Sequence, residues 1–126
     1  MAALELTEAT FEKTIEDNSL VLIDFWAPWC GPCRNFAPVF EAASTRHADA
    51  VFAKVNTDVE QRLAAMFEIQ SIPTLAIFRE QICVFAQPGA LQAQHLEEII
   101  QRVKALDMED VRRRIAEHET NGAAEE

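Results

Sequence analysis

The chain has 126 residues, one domain's worth of sequence, with 11 Lys and Arg against 21 Asp and Glu for a net charge of −10. That balance argues against a nucleic-acid partner, whose phosphates call for clustered cations, and against an anionic membrane surface. Hydrophobic residues at 49% and charged residues at 25% are an ordinary globular mixture, so a disordered chain and a low-complexity chain are both set aside.

The first 20 residues carry Glu5, Glu8, Glu12 and Glu16 and no long apolar run. They match neither a secretory signal nor a transit peptide, and the expected compartment is the cytoplasm. Thr7 to Asp17 reads as a helix, with Thr7 as its cap and Leu6 and Phe11 at the two positions of a hydrophobic staple. Leu20 to Trp26 is almost continuously apolar, which suits a central strand buried on both faces. Pro32 stands where a helix begins, since its missing N–H costs nothing there. That helix is expected to reach about His47, with a bend near Pro38.

Val51 to Asn56 reads as a second strand. Asp58 and Gln61 have the spacing of a capping box, opening a short helix through Phe67. Thr74–Arg79 and Ile82–Gln87 are close enough to form a hairpin, although Arg79-Glu80-Gln81 lacks the favoured Asn-Gly chemistry. Gln92 to Ala105 places Leu96, Ile99, Ile100 and Val103 on one helical stripe. The order α, β-α-β, α, β-β-α predicts an α/β fold with a central mixed sheet flanked by helices. Residues 1–105 form the expected domain, and 106–126 a C-terminal helical extension with an acidic tail. In that extension Asp107 caps a helix, with Met108, Val111 and Ile115 on one side. Glu109/Arg113, Asp110/Arg114 and Arg113/Glu117 are at pairing distance, Arg112 to Arg114 form a solvated face, and the end frays from Thr120.

Three cysteines are too few for a disulfide framework, but Trp29-Cys30-Gly31-Pro32-Cys33 lies where a buried strand hands over to a helix. Cys30 there precedes free backbone N–H groups and the positive end of the helix dipole, both of which favour a thiolate; Arg34 adds a weak contribution. Cys33, one turn further in, is expected to be the less accessible of the two, with Cys30 facing solvent. This asymmetry suits one sulfur to attack a foreign disulfide and the other to resolve the mixed intermediate. Half of a zinc site and a purely structural cysteine pair are the competing readings. His47, His95 and His118 show no ligand spacing, and no metal is expected.

Asp24 interrupts the buried strand. Unless local hydrogen bonds satisfy it, burial should raise its pKa until it holds a proton near neutrality, placing it to take the Cys33 proton. Lys54, on the second strand, either shares that inner space or is simply solvated. Pro73 reads from the residues alone as an ordinary trans proline at a strand start. Gly89, after Pro88, allows close backbone approach by a ligand. Cys83 reads as a small buried hydrophobe.

The segment Asp24 to Cys33, ending in Trp-Cys-Gly-Pro-Cys, resembles the active-site strand and motif of the thioredoxin family. Pro38, Lys54, Ile72-Pro73-Thr74 and Gly89-Ala90 fall at family-like spacing, and the resemblance covers about residues 5–105. It implies the thioredoxin fold, a cis Pro73, and reduction of protein disulfides, with Cys30 attacking, Cys33 resolving, and Asp24 and Lys54 handling the proton. It also implies a peptide-docking surface of Trp29, Gly31, Pro32, Ile72, Pro73 and Gly89. No cofactor beyond the redox-active Cys30–Cys33 pair is implied. The implied partners are disulfide-bearing client proteins and an NADPH-linked thioredoxin reductase, with the chain acting as a monomer. Gln81 departs from the usual Gly in the hairpin turn, and Pro88 from the usual β-branched residue. Pro88 and the extra acidic helix motivate a rival reading as a client-holding module.

Overall fold

A computed structural model describes residues 3–125, and side chains as far as residue 119. In chain order the elements are β1 (Leu4–Glu5), α1 (Glu8–Asp17), β2 (Leu20–Trp26), α2 (Gly31–Arg46), β3 (Val51–Asn56), α3 (Gln61–Met66), β4 (Thr74–Arg79), β5 (Ile82–Pro88), α4 (Ala93–Lys104) and α5 (Met108–Glu125). One five-stranded sheet has the order β1-β3-β2-β4-β5. Strands β1, β3 and β2 run parallel, and β4 is antiparallel to both β2 and β5.

The expected mixed sheet is present, with one addition. The two-residue β1, too short to carry a hydrophobic period, adds an edge by pairing with Ala53 and Lys54 of β3. Strand β2 occupies the centre, flanked by β3 and β4, which explains its run of fully enclosed residues from Val21 to Phe25.

Side chains alternate across a strand, so β2 supplies two separate cores. Leu20 and Leu22 pack with Phe36 and Phe40 of α2 and with the α4 stripe Leu96, Ile99, Ile100 and Val103. Val21, Ile23 and Phe25 pack on the other side with Ile15 of α1 and Leu63 of α3. Full burial of each such side chain contributes roughly 1.5–3 kcal/mol, so the two cores together clamp β2 from both faces. Leu6 and Phe11 both join the second cluster, as the staple reading predicts. The first helix begins at Glu8, with Thr7 as its cap residue and the Thr7 N–H donating to Thr10 Oγ1 at 3.1 Å.

Three local expectations need correction. Asp58 does not cap α3; that helix starts at Gln61 after Glu60, whose N–H reaches Asn56 O at 2.8 Å. The Asp58 carboxylate is taken instead by Trp29. Cys83 is exposed rather than buried. It lies on the edge strand, opposite Phe78 and beside a register shift at Ile77/Phe78, where the sheet has no further strand to cover it. The backbone of α5 continues past Thr120 to Glu125.

The hairpin turn places Glu80 and Gln81 at φ 51° and 70°. Both central residues thus have the positive φ that a two-residue turn needs, without a glycine to relieve it. The turn is tied at several points: the Glu80 N–H donates to Ser19 O at 2.8 Å, and Arg112 of α5 donates to Glu80 Oε1 at 2.7 Å. Arg112 is therefore not merely solvated. Arg113 pairs with Asp110 and Glu117, and Arg114 with Asp110, whereas the anticipated Glu109/Arg113 pair gives way to these. Asp107 caps α5 as expected, its Oδ1 accepting from the N–H groups of Glu109 and Asp110. Met108 is buried, and Arg79 donates to the carbonyls of Val103 and Leu106 across the α4–α5 junction.

Candidate active site

The chemistry-bearing residues gather at the carboxyl end of β2, where the chain turns into α2. Cys30 is the N-cap of α2, with Gly31 and Pro32 filling its first two positions. Those positions carry N–H groups that have no partner inside a helix, so the absent proline N–H removes nothing from the ladder. The third such N–H, from Cys33, donates to Cys30 Sγ at 3.1 Å. The first donor of the helix proper, Arg34 N–H, reaches Cys30 O at 3.2 Å. Cys30 thus receives at sulfur the hydrogen bond that a capping oxygen usually takes. Such a bond favours negative charge at that atom.

Cys30 and Cys33 are joined in a disulfide with their Cα atoms 5.2 Å apart. Against the expectation of a solvent-facing Cys30, both are buried, at 4% and 2% exposure. Trp26, Ala27 and Ile72 pack around the pair, so cover arrives from a segment 40 residues away that the motif itself does not display. The Ile72 carbonyl lies 3.7 Å from Cys30 Sγ. The Ile72–Pro73 peptide bond is cis, as the family resemblance implies and the residues alone did not. Beyond it, Gly89 donates its N–H to Pro73 O at 2.8 Å with φ at +110°, a conformation that only glycine adopts without strain. Cα atoms of Pro88 and Thr74 are paired in register, which seats the Gly89 backbone next to Pro73.

Trp29 stands out from this surface at 68% exposure. Its Nε1–H donates to Asp58 Oδ1 at 3.1 Å, and Asp58 N–H in turn donates to Asn56 Oδ1. The sequence reading missed this partnership because Asp58 and Gln61 have helix-cap spacing; nothing local in the chain points from Asp58 to Trp29. A groove of about 370 Å³ runs alongside, lined by Trp29, Gln61, Ala64, Ala65, Ile69 and Ile72. Arg34 donates to Pro28 O at 3.0 Å.

Asp24 lies two residues before Trp26 on the same face of β2 and is fully enclosed. Neither carboxylate oxygen has a hydrogen-bond partner among the described residues. Local hydrogen bonds therefore do not satisfy it, and burial pushes its pKa from 3.8 up to about 7, opposed only in part by the charge of Lys54. Lys54 is the register partner of Asp24 across β2–β3, and its ammonium rests over the Trp26 ring, 4.6 Å from the centroid. Strand pairing thus brings both proposed proton-handling residues to one face, as the alternation of Lys54 with its neighbours suggested.

Comparison with known proteins agrees with this geometry. The family model for thioredoxin matches residues 2–102. The chain belongs to the thioredoxin family. It is 51% identical over 118 residues to the putative thioredoxin 2 of Streptomyces coelicolor, covering 94% of this chain and 88% of that one. Identity to the thioredoxin of Alicyclobacillus acidocaldarius is 42% over 106 residues, which is 79% of this chain and all of that one. Among solved structures, a mutant thioredoxin from Halobacterium salinarum superposes with a TM-score of 0.77 at 31% identity, covering 84% of this chain and 94% of that one. With its closed Cys30–Cys33 pair, the chain is a thiol–disulfide oxidoreductase of the protein-disulfide reductase type. Among the described residues no helix is long and apolar enough to cross a membrane.

Proposed function

We propose that the reduced chain cleaves disulfides in client proteins, with Cys30 as nucleophile, Cys33 as resolving thiol and Asp24 as proton acceptor. The observation that carries this reading is the N-cap position of Cys30, whose sulfur receives the Cys33 N–H. A thiolate there gains from the hydrogen bond and from the helix dipole.

The Cys30 thiolate attacks one sulfur of the client disulfide; that S–S bond breaks, and the departing client sulfur takes up a proton. The Cys33 thiol then loses its proton to the Asp24 carboxylate and attacks Cys30 Sγ. The mixed disulfide breaks, the second client sulfur leaves as a thiolate that takes up a proton from water, and Cys30 and Cys33 end as the disulfide seen here. Two electrons have passed to the client. An NADPH-linked thioredoxin reductase restores the dithiol and completes the cycle.

Clients dock as an extended segment on Trp29, Gly31, Pro32, Ile72, Pro73 and Gly89. The exposed indole and the unobstructed surface over Gly31 and Gly89, where an added Cβ meets nothing within 4 Å, support that role. Lys54 lowers the cost of charging Asp24 through its own positive charge. The working unit is residues 1–105, acting as a monomer in the cytoplasm, with 106–126 as an appended helix that braces the hairpin turn. The family match ending at residue 102 and the Arg112–Glu80 contact support that division.

A Cys33→Ser variant tests the scheme. Incubated with insulin, it should accumulate a covalent adduct on Cys30 that dithiothreitol releases, while the Cys30→Ser, Cys33→Ser double variant forms none. An adduct on Cys83 alone, or no adduct with Cys30 free, would overturn the assignment.

A further inference from the structure

Trp26 closes β2 and takes no part in the exchange steps above, yet it touches both Lys54 and the cysteine pair. One face carries the Lys54 ammonium at 4.6 Å. The same residue packs with Ala27, Cys30 and Cys33. Its Nε1–H is buried without a hydrogen-bond partner, so no hydrogen bond accounts for the indole at this position. Asp24 and Lys54 are directly paired in register, and this is the arrangement from which an ion pair ordinarily forms. Both Asp24 oxygens are nevertheless left without a hydrogen-bond partner.

We propose that Trp26 is a positioning residue whose indole face holds the Lys54 ammonium beside Asp24 but off its oxygens. A cation within about 6 Å of an aromatic centroid is attracted by the ring quadrupole, most strongly where water is scarce. Seated there, the lysine acts on the carboxylate through space. The two oxygens stay open to take a proton from the resolving thiol. Direct pairing would occupy them and hold the group ionised, while release of the lysine to water would leave it protonated over a wider range of pH.

The groups around Asp24 allow this assignment. From β3 the facing group is Lys54, and from β4 the register partner is the apolar Leu75. At the start of α2, Cys30 and Cys33 pack with Trp26, and Arg34 is engaged with Pro28 O. Without the ring, the strongly hydrated ammonium will move to water rather than surrender its hydration to meet a buried carboxylate.

The inference rests on Asp24 as the proton acceptor, so its test reads the ionisation of Asp24 directly, through the infrared band of the protonated carboxyl. Lys54→Met should raise the Asp24 midpoint by about one pH unit, the loss expected for a nearby opposite charge. In a Trp26→Leu background the same substitution should shift it by less than a third of that amount, and in a Trp26→Phe background the full shift should return. An equal or larger shift in Trp26→Leu overturns the proposal. Should Trp26→Leu fail to fold, the unaltered protein still decides: ring current must displace the Lys54 ε-methylene proton resonances upfield, and ordinary lysine positions overturn the idea. An unchanged pH profile of exchange in Asp24→Asn would remove the proton-acceptor role while leaving the infrared result to stand or fall alone.

Discussion

Asp24 and His47 are both buried polar side chains, Asp24 on the strand that leads into α2 and His47 at the C-terminal end of that helix. At the far end, His47 is fully supplied with partners. Lys104 Nζ, which can only donate, meets His47 Nδ1 at 2.8 Å, so the ring donates from Nε2 to Glu97 at 2.8 and 3.0 Å. Arg46 and Asp49 extend the network on either side. At the near end, neither carboxylate oxygen of Asp24 has a hydrogen-bond partner among the described residues. A satisfied buried group ties α2 to α4, whereas an unsatisfied one on the strand leading to the cysteines has a raised proton affinity. Burial is shared by the two groups, and hydrogen bonding separates them: one is tied into a network, and the other is left with the raised proton affinity that the proposed exchange uses.

The sharpest way to break this contrast is kinetic. Asp24→Asn should slow the resolving step about 10²–10⁴-fold near pH 7, the usual range for a lost general base. In the unaltered protein that step should rise with pH as Asp24 ionises, levelling above about 7. The two proteins should converge at high pH, where Cys33 ionises unaided. Rapid mixing with a small disulfide, followed by mass spectrometry of the mixed species, measures the ratio; equal slowing at all pH values would count against the contrast.

Stability offers the next largest effect. The folded-state pKa of Asp24 lies above its ordinary value, so the native state holds a proton that the unfolded chain gives up between pH 3.8 and about 7. Stability contributed by the neutral form is complete below pH 3.8 and is lost as pH rises toward 7. At about 1.4 kcal/mol per pH unit, Asp24→Asn should therefore be more stable than the parent at pH 8 by at most about 4 kcal/mol. The advantage should vanish near pH 4, as urea denaturation at the two pH values will show.

The opposite sign is expected at the far end. His47→Leu leaves Lys104 and Glu97 each short of a partner and should cost about 1–3 kcal/mol in the same denaturation experiment, with thiol–disulfide exchange unaltered. A loss of exchange rate there would blur the distinction between the two ends.

A smaller effect, distant from both groups, calibrates them. Gln81→Gly should stabilise the protein by roughly 1 kcal/mol, because φ near 70° is strained for a residue with a Cβ. The melting temperature of the variant checks it.

Much of this was legible before any coordinates. The apolar run of Leu20–Trp26, the Pro32 start of α2 and the α4 stripe are local patterns, and each element appears within a residue or two of its expected limits. A carboxylate inside an apolar strand was likewise a sign of a raised proton affinity, and Asp24 has one. What escaped is non-local. The spacing of Asp58 suits a helix cap, but the nearby indole of Trp29 competes for its oxygen and wins. Cys83 looks like a core residue in the chain and lies on an exposed edge in the sheet.

By itself, then, the order of residues determined the elements, the cysteine spacing at a helix start and the family, because periodicity, capping and a five-residue motif act over a few neighbours. Only the folded chain decided that Ile72 would cover both sulfurs, that Gly89 would bond to Pro73, and that Lys54 would rest on Trp26 instead of on Asp24. Those contacts join strands and loops remote in sequence, and their geometry is set by strand register and packing, which no local pattern encodes.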